Sequence, residues 1–222
     1  MVKKFNLSDI KDKKKVILLY GSPGTGKTTA IGKLKGKTLI IDVDEGAYVL
    51  DKKNKNIEIW TLEKDLSDLK NVFEDLEKKC PYDNICLDSI STLEKKMLTL
   101  YGRSGRNDGA PEMLHYSRTG FKLADYFNRL IDLPANIIIT AWERKEEIIK
   151  KNGTKFNRVM PLLSGKTPEY IMGICGLVGH VEISEKEETA GERYIRLDKT
   201  EEIDAKDRYD KRIYCKVEDL IL

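Results

Sequence analysis

The densest chemistry in this 222-residue chain lies in one short stretch, Gly21-Ser22-Pro23-Gly24-Thr25-Gly26-Lys27-Thr28. It satisfies the spacing Gly-x4-Gly-Lys-Thr in full. Glycines let successive backbone N–H groups turn inward around an anion, and the start of a following helix adds a favourable dipole. Lys27 has the reach for β- and γ-phosphates, and the Thr28 hydroxyl suits a magnesium ion. Pro23 restricts the loop without removing a donor the cradle needs. Residues Gly21 to Thr28, with Thr29 next to them, therefore predict a nucleoside triphosphate site, with ATP and Mg²⁺ as the expected ligands.

Such a site needs a second acidic group near the metal. Asp88 ends the apolar run Ile85-Cys-Leu87 and is expected on the strand beside the loop-bearing strand. Asp42 ends another apolar run and is its rival, and Asp88 could instead be a helix cap. Hydrolysis also needs a group to orient or deprotonate water. Asp42-Val-Asp-Glu45 offers carboxylates at a strand end, with Asp44 slightly ahead of Glu45 on spacing. Thr140, at the end of a fifth apolar run, is a candidate γ-phosphate contact, with Trp142-Glu143 just beyond it.

These residues need elements to position them. Lys15-Val-Ile-Leu-Leu-Tyr20, Lys37-Thr-Leu-Ile-Ile-Asp42, Ile57-Glu-Ile-Trp-Thr61, Asn84-Ile-Cys-Leu-Asp-Ser89 and Asn136-Ile-Ile-Ile-Thr-Ala141 read as five strands. Helices are expected over 28–34, 65–79, 91 to about 101, and 113–133, where Pro134 stops the last. Residues 102–111 are rich in turn formers and read as a mobile loop. A hairpin turn is expected at Lys151-Asn-Gly-Thr154, a short helix over 167–175, and strands over 177–184, 193–197 and 212–217, with a charged link over 185–192. The early alternation implies an α/β fold with a mostly parallel sheet and helices on both faces, and antiparallel strands at the C-terminal edge. With no internal repeat or low-complexity linker, residues 1–222 read as one domain.

Composition fits that reading. Hydrophobic residues are 40% and charged residues 35% of the chain, and the net charge is +3. A balance so close to neutral permits nucleic-acid binding without arguing for it. No apolar run approaches membrane-spanning length, and the basic, polar start argues against a secretory signal. Cys80, Cys86, Cys175 and Cys215 are scattered without a CxxC pair, so free thiols in a reducing cytoplasm are expected rather than a zinc site.

The order of these features resembles a RecA-like P-loop ATPase, and more narrowly the phage-encoded proteins of the Sak-type single-strand annealing group. The resemblance rests on Leu19 to Thr28, Ile41-Asp-Val-Asp-Glu-Gly46, Leu87-Asp-Ser-Ile-Ser91, Ile139-Thr-Ala-Trp-Glu143 and Lys206-Asp-Arg-Tyr-Asp210. It implies a water-activating acid after the second strand, which supports Asp44 or Glu45. Trp142 stands where such proteins often carry a polar residue. Lys206 and Arg208 are similar to the Lys-x-Arg finger of RadA-like relatives, which reaches a neighbour's γ-phosphate and makes turnover depend on a homo-oligomeric ring or filament.

The resemblance also implies two loops that hold single-stranded DNA, matching residues 102–112 and 144–166. Arg103 and Arg106 lie in the first. Lys150, Lys151, Lys155, Phe156 and Arg158 lie in the second, offering cations for phosphates and a ring for base stacking. The implied activity is single-stranded-DNA-stimulated ATP hydrolysis in phage recombination or annealing, in the host cytoplasm, with a phage single-strand-binding protein as a further partner. An ATP-switched adaptor or helicase loader, and a small-molecule kinase on the same loop, are the alternative readings.

Overall fold

The computed structural model describes residues 14–62, 67–184 and 189–221. Side-chain alternation sorts its strands onto two apolar faces. In β1 (Val16–Gly21), Leu18 and Tyr20 enter one core and Ile17 and Leu19 the other. β2 (Thr38–Asp42), β4 (Asn84–Asp88) and the first half of β5 (Asn136–Ile149) repeat this. Leu39, Ile41, Ile85, Leu87, Ile137 and Ile139 face the first core, and Ile40, Cys86 and Ile138 the second. Strands buried on both faces require a covered, parallel sheet, and these strands pair in parallel.

The edges complete the sheet. β3 (Ile57–Thr61) pairs in parallel with β2, and β7 (Leu177–Ile183) with β1. β8 (Arg193–Arg196) runs antiparallel between β7 and β10 (Tyr214–Lys216). The order is β10-β8-β7-β1-β5-β4-β2-β3. This is the expected α/β architecture: a parallel core with antiparallel strands at the C-terminal edge. One expectation is corrected. Asp88 is not on the strand beside β1, because β5 lies between β1 and β4.

Helices cover the two faces unequally. α2 (Ser67–Lys78), α3 (Ile90–Arg103), α4 (Met113–Asp132) and α5 (Thr167–Ile174) bury residues such as Phe73, Leu93, Phe127 and Ile171 in the first core. The second face receives α1 (Lys27–Ile31), through Ala30 and Ile31, and a C-terminal turn carrying Val217 and Leu220. α1 is shorter than the expected 28–34. It ends at Gly32, where a Cβ would lie 2.6 Å from Leu50. The expected helix start at 65–66 and residues 185–188 of the charged link lie outside the described residues.

The hairpin at 151–154 is present, with Gly153 at φ 83° and Lys150 N–H donating to the Thr154 carbonyl at 2.8 Å. Its first strand is the outer half of β5, which continues past Ala141 and pairs with β6 (Lys155–Pro161) from Glu143 to Ile149. β9 (Lys206–Asp207), which no sequence pattern announced, pairs antiparallel with the start of β7. All four cysteines are free, and no described helix is long and apolar enough to cross a membrane.

Candidate functional site

The C-terminal ends of the parallel strands meet at a cavity of about 850 Å³, lined by Gly24, Gly26, Lys27, Thr28, Asp44, Glu45, Asp88 and Arg193 among others. The loop after β1 forms one wall. Gly24 and Gly26 adopt φ of 80° and 99°, a region that favours glycine. Among the described residues, the N–H groups of Gly24, Gly26, Lys27, Thr28 and Thr29 have no acceptor, while Thr25 N–H bonds to the Ser22 carbonyl at 3.4 Å and Ala30 N–H to the Gly26 carbonyl at 2.9 Å. A run of open amides around a concave loop is a built anion cradle. With α1 only five residues long, the amides rather than a long helix dipole must do the binding.

The side chains of the loop already have partners. The Lys27 ammonium is buried and donates to the carbonyls of Gly21 and Ser22, both at 2.9 Å. Burial holds its pKa below the usual lysine value, against the opposing pull of Asp88, Glu143 and Asp44. Thr25 Oγ1 donates to the Ser22 carbonyl at 2.9 Å. Thr28 Oγ1 donates to Asp88 Oδ2 at 2.6 Å. Thr140, fully buried on β5, donates its hydroxyl to the other Asp88 oxygen. It stands behind the carboxylate and does not line the cavity. Leu87 is level with Ile139 across β4 and β5, which brings Asp88 and Thr140 side by side.

Burial pushes the Asp88 carboxyl above its ordinary range. The Thr140 and Thr28 hydroxyls pull it down, while Asp44 and Asp42 push it further up. Burial, the leading cause, disfavours the charged carboxylate, although the Lys27 ammonium is close enough to feel its charge.

The other acids separate by their bonds. Asp42 accepts from the N–H groups of Gly46 and Ala47 at 3.1 and 3.0 Å, so it builds the turn after β2 and drops out as a rival to Asp88. Asp44 accepts from Ser89 N–H at 3.3 Å and Ser89 Oγ at 3.1 Å. Glu45, at φ 57°, is exposed on the cavity wall and has no partner among the described residues. The cap of α3 is Ser89, whose side chain accepts from Thr92 N–H, and not Asp88.

Several contacts of the site escaped the sequence reading. Ser22 Oγ donates to Glu143 Oε1 at 2.7 Å, and Glu143 Oε2 faces His180 Nε2 at 2.8 Å. His180 Nδ1 faces Glu182 at 3.1 Å, and Glu182 accepts from Arg196 at 2.9 Å. Burial raises the carboxyls of Glu143 and Glu182, but the bonds from His180, with Ser22 and Arg196 respectively, bring both below the usual glutamate value. Lys96 donates to the Val43 carbonyl at 2.8 Å, and Arg193 crosses the loop at Gly26. Glu143 was visible beside Trp142, but His180 is 37 positions away and no local pattern joins them.

The remaining candidates lie elsewhere. Lys206 donates to the Gly173 carbonyl at 3.2 Å, and Arg208 is exposed. β9 pairs with Leu177 and Val178, at the start of β7, so both cations sit at the end of the sheet opposite their own cavity. Arg103 and Arg106 are exposed in and after the last turn of α3. On the hairpin, Lys150 pairs with Glu201 at 2.6 Å, Lys155 with Glu147 at 2.9 Å and Arg158 with Asp204 at 2.6 Å. Lys150 also covers the Phe156 ring, 5.1 Å from its centroid. Lys151 is exposed, with no ion pair among the described residues.

Comparison with known proteins agrees with the loop geometry. No curated protein matches the sequence significantly. Among solved structures, the fold is similar to a KaiC-like protein from the hyperthermophilic archaeon Pyrococcus horikoshii OT3, at 15% identity and TM-score 0.46, over 85% of this chain and 80% of that one. The family model described as AAA domain, AAA_24, matches residues 13–209. That span runs from the strand before the phosphate loop to the antiparallel edge, and the chain belongs to this AAA domain family of P-loop NTPases.

Proposed function

We propose that the protein hydrolyses Mg²⁺–ATP in this cleft and couples turnover to self-assembly and to single-stranded DNA. The observation that carries the catalytic part is the set of open amides beside the buried Thr28–Asp88 pair.

The residues present fit the metal. No cluster of three or more metal-binding side chains occurs among the described residues. Magnesium, however, typically takes one or two protein oxygens and fills its shell with water and phosphate. A threonine hydroxyl against a buried carboxylate meets that need. Thr28 and Asp88 would hold Mg²⁺, which when bound would offset the charge that develops on the triphosphate.

The protein groups divide the rest. The open amides of Gly24 and of Gly26 to Thr29 bind the phosphates. Lys27 leaves the Gly21 and Ser22 carbonyls for phosphate oxygens. Thr140 holds Asp88 toward Thr28. Glu45, an acid of the cavity wall without a partner among the described residues, orients water and takes its proton as the water oxygen bonds to the γ-phosphorus and the bond from that phosphorus to its bridging oxygen breaks, releasing ADP. Asp44, tied to Ser89, is the second choice. Lys206 and Arg208 face away from their own cavity, which supports action on a neighbouring copy's nucleotide. Of the candidate DNA contacts, Arg103, Arg106 and Lys151 have no ion pair among the described residues and remain open for a DNA backbone, and phage recombination or annealing is the setting the resemblance favours.

The test is ATP hydrolysis over a range of protein concentrations, with and without single-stranded DNA, alongside a size measurement. Turnover per subunit should rise with concentration as oligomers form, and rise again with DNA. No hydrolysis would end the catalytic reading. Hydrolysis indifferent to concentration would end the trans finger, and hydrolysis indifferent to DNA would remove the nucleic-acid role.

A further inference from the structure

We propose that Arg193 is a phosphate-binding residue of the cleft, acting within its own chain on the α- and β-phosphates from outside the loop. The inference rests on the cleft being a nucleotide site. It adds a contact from the antiparallel edge, far in sequence from every motif that defines the loop.

Three observations carry it. First, the Arg193 side chain lies directly across Gly26: a Cβ built there would meet Arg193 Cδ at 2.5 Å and Nε at 2.9 Å. The glycine is thus needed twice, for its φ of 99° and for the crossing of this side chain. Second, Arg193 lines the same cavity as Lys27, Thr28 and Asp88. Third, the other cations of that wall are engaged with protein. Lys27 holds the Gly21 and Ser22 carbonyls, and Lys96 holds the Val43 carbonyl. The backbone of Arg193 belongs to the β7–β8 ladder, but its side chain has no hydrogen bond or ion pair among the described residues.

A guanidinium held over a cradle of open amides, with its donors unused, matches phosphate oxygens in a planar, forked geometry that a lysine cannot copy. Its side chain crosses the loop at Gly26, on the run of open amides, and from that place it is assigned to the part of the polyphosphate that ADP shares with ATP. β8 also carries Arg196, which ends the chain of contacts from Ser22 through Glu143, His180 and Glu182. The edge strand thus meets the loop at two points, once through Arg193 above it and once through Ser22.

Calorimetric titration of Mg²⁺–ATP and of ADP into the wild type, Arg193→Ala, Arg193→Gln and Lys27→Ala proteins tests this. Loss of a charged hydrogen-bonding group predicts about ten-fold or weaker binding in both Arg193 variants, equal for ATP and ADP. Arg193→Lys should recover part of it. Unchanged affinity for ADP in a variant that melts like the wild type overturns the proposal, and so does a loss confined to ATP. A wild type that binds neither nucleotide instead sinks the nucleotide reading. Binding by the wild type that Lys27→Ala weakens but Arg193→Ala does not sinks this inference alone.

Discussion

The cleft and the β5–β6 hairpin are both rich in charge, yet they treat it in opposite ways. In the cleft, backbone amides of the loop, the Glu45 carboxylate and the Arg193 guanidinium are held without protein partners. On the hairpin, Lys150, Lys155 and Arg158 each have a carboxylate within 3 Å. A fixed frame with unmet hydrogen-bonding capacity costs stability unless a ligand fills it. Paired surface charges cost little and contribute little, ~0–1 kcal/mol each. Charge density therefore says less about function than the pairing of that charge, and the contrast can be broken by experiment.

The largest effect should come from the loop lysine. Lys27→Ala removes the ammonium of the loop itself, and loss of such a preorganised group costs on the order of 100-fold or more in turnover. Hydrolysis should fall to background while circular dichroism stays native. Retained activity would mean that the open amides are not the phosphate site.

Next is Asp88→Asn, which should lower turnover and raise stability together. Burial leads the upward push on the Asp88 carboxyl. A carboxyl raised in the fold contributes stability below the ordinary aspartate range and loses it as pH rises through the raised value. At neutral pH the ionised group is a net cost to the nucleotide-free protein. Melting of the variant should exceed the wild type at pH 7.5 by a few degrees, at about 2–4 °C per kcal/mol for a chain of this size, and the gap should close near pH 4. Equal melting at both pH values would mean that the charge is already compensated, and that the site is not waiting for a cation.

The cleft was more legible in sequence than the hairpin for a physical reason. Phosphate binding needs glycines, a lysine and a hydroxyl within one turn of chain, so Gly21 to Thr28 encode it locally. Asp88 stands out in the sequence because it ends an apolar strand, although its strand was placed one position too close to β1. The groups from the far edge were not legible. His180 meets Glu143, and Arg193 meets Gly26, only because β7 and β8 continue the sheet beyond β1. The hairpin cations were visible as residues, but their partners Glu201 and Asp204 come from a separate segment. That pairing decides what the cations are free to do.

Smaller effects should come from the open cations outside the cleft. Removing Arg103, Arg106 and Lys151 together should flatten the salt dependence of single-stranded DNA binding by about 2 in the log–log slope, at roughly 0.7 per phosphate contact. An unchanged slope would take both segments off the DNA surface.

The smallest belongs to the hairpin pair. Lys155 and Glu147 are 2.9 Å apart with side chains 61% and 55% exposed, so solvent screens them heavily. Lys155→Ala should move the melting temperature by less than about 2 °C, in keeping with the small worth of exposed pairs. It should also leave the salt slope of DNA binding unchanged, because a lysine engaged with Glu147 releases no counterion on meeting a phosphate until that pair opens. A slope reduced by about 0.7 would reverse this. It would mean that Lys155 exchanges its carboxylate for the backbone of the strand, and that weak surface pairs here serve as a reserve of cations. The distinction between the cleft and the hairpin would then lie in how tightly each holds its charge, and no longer in whether that charge has a partner.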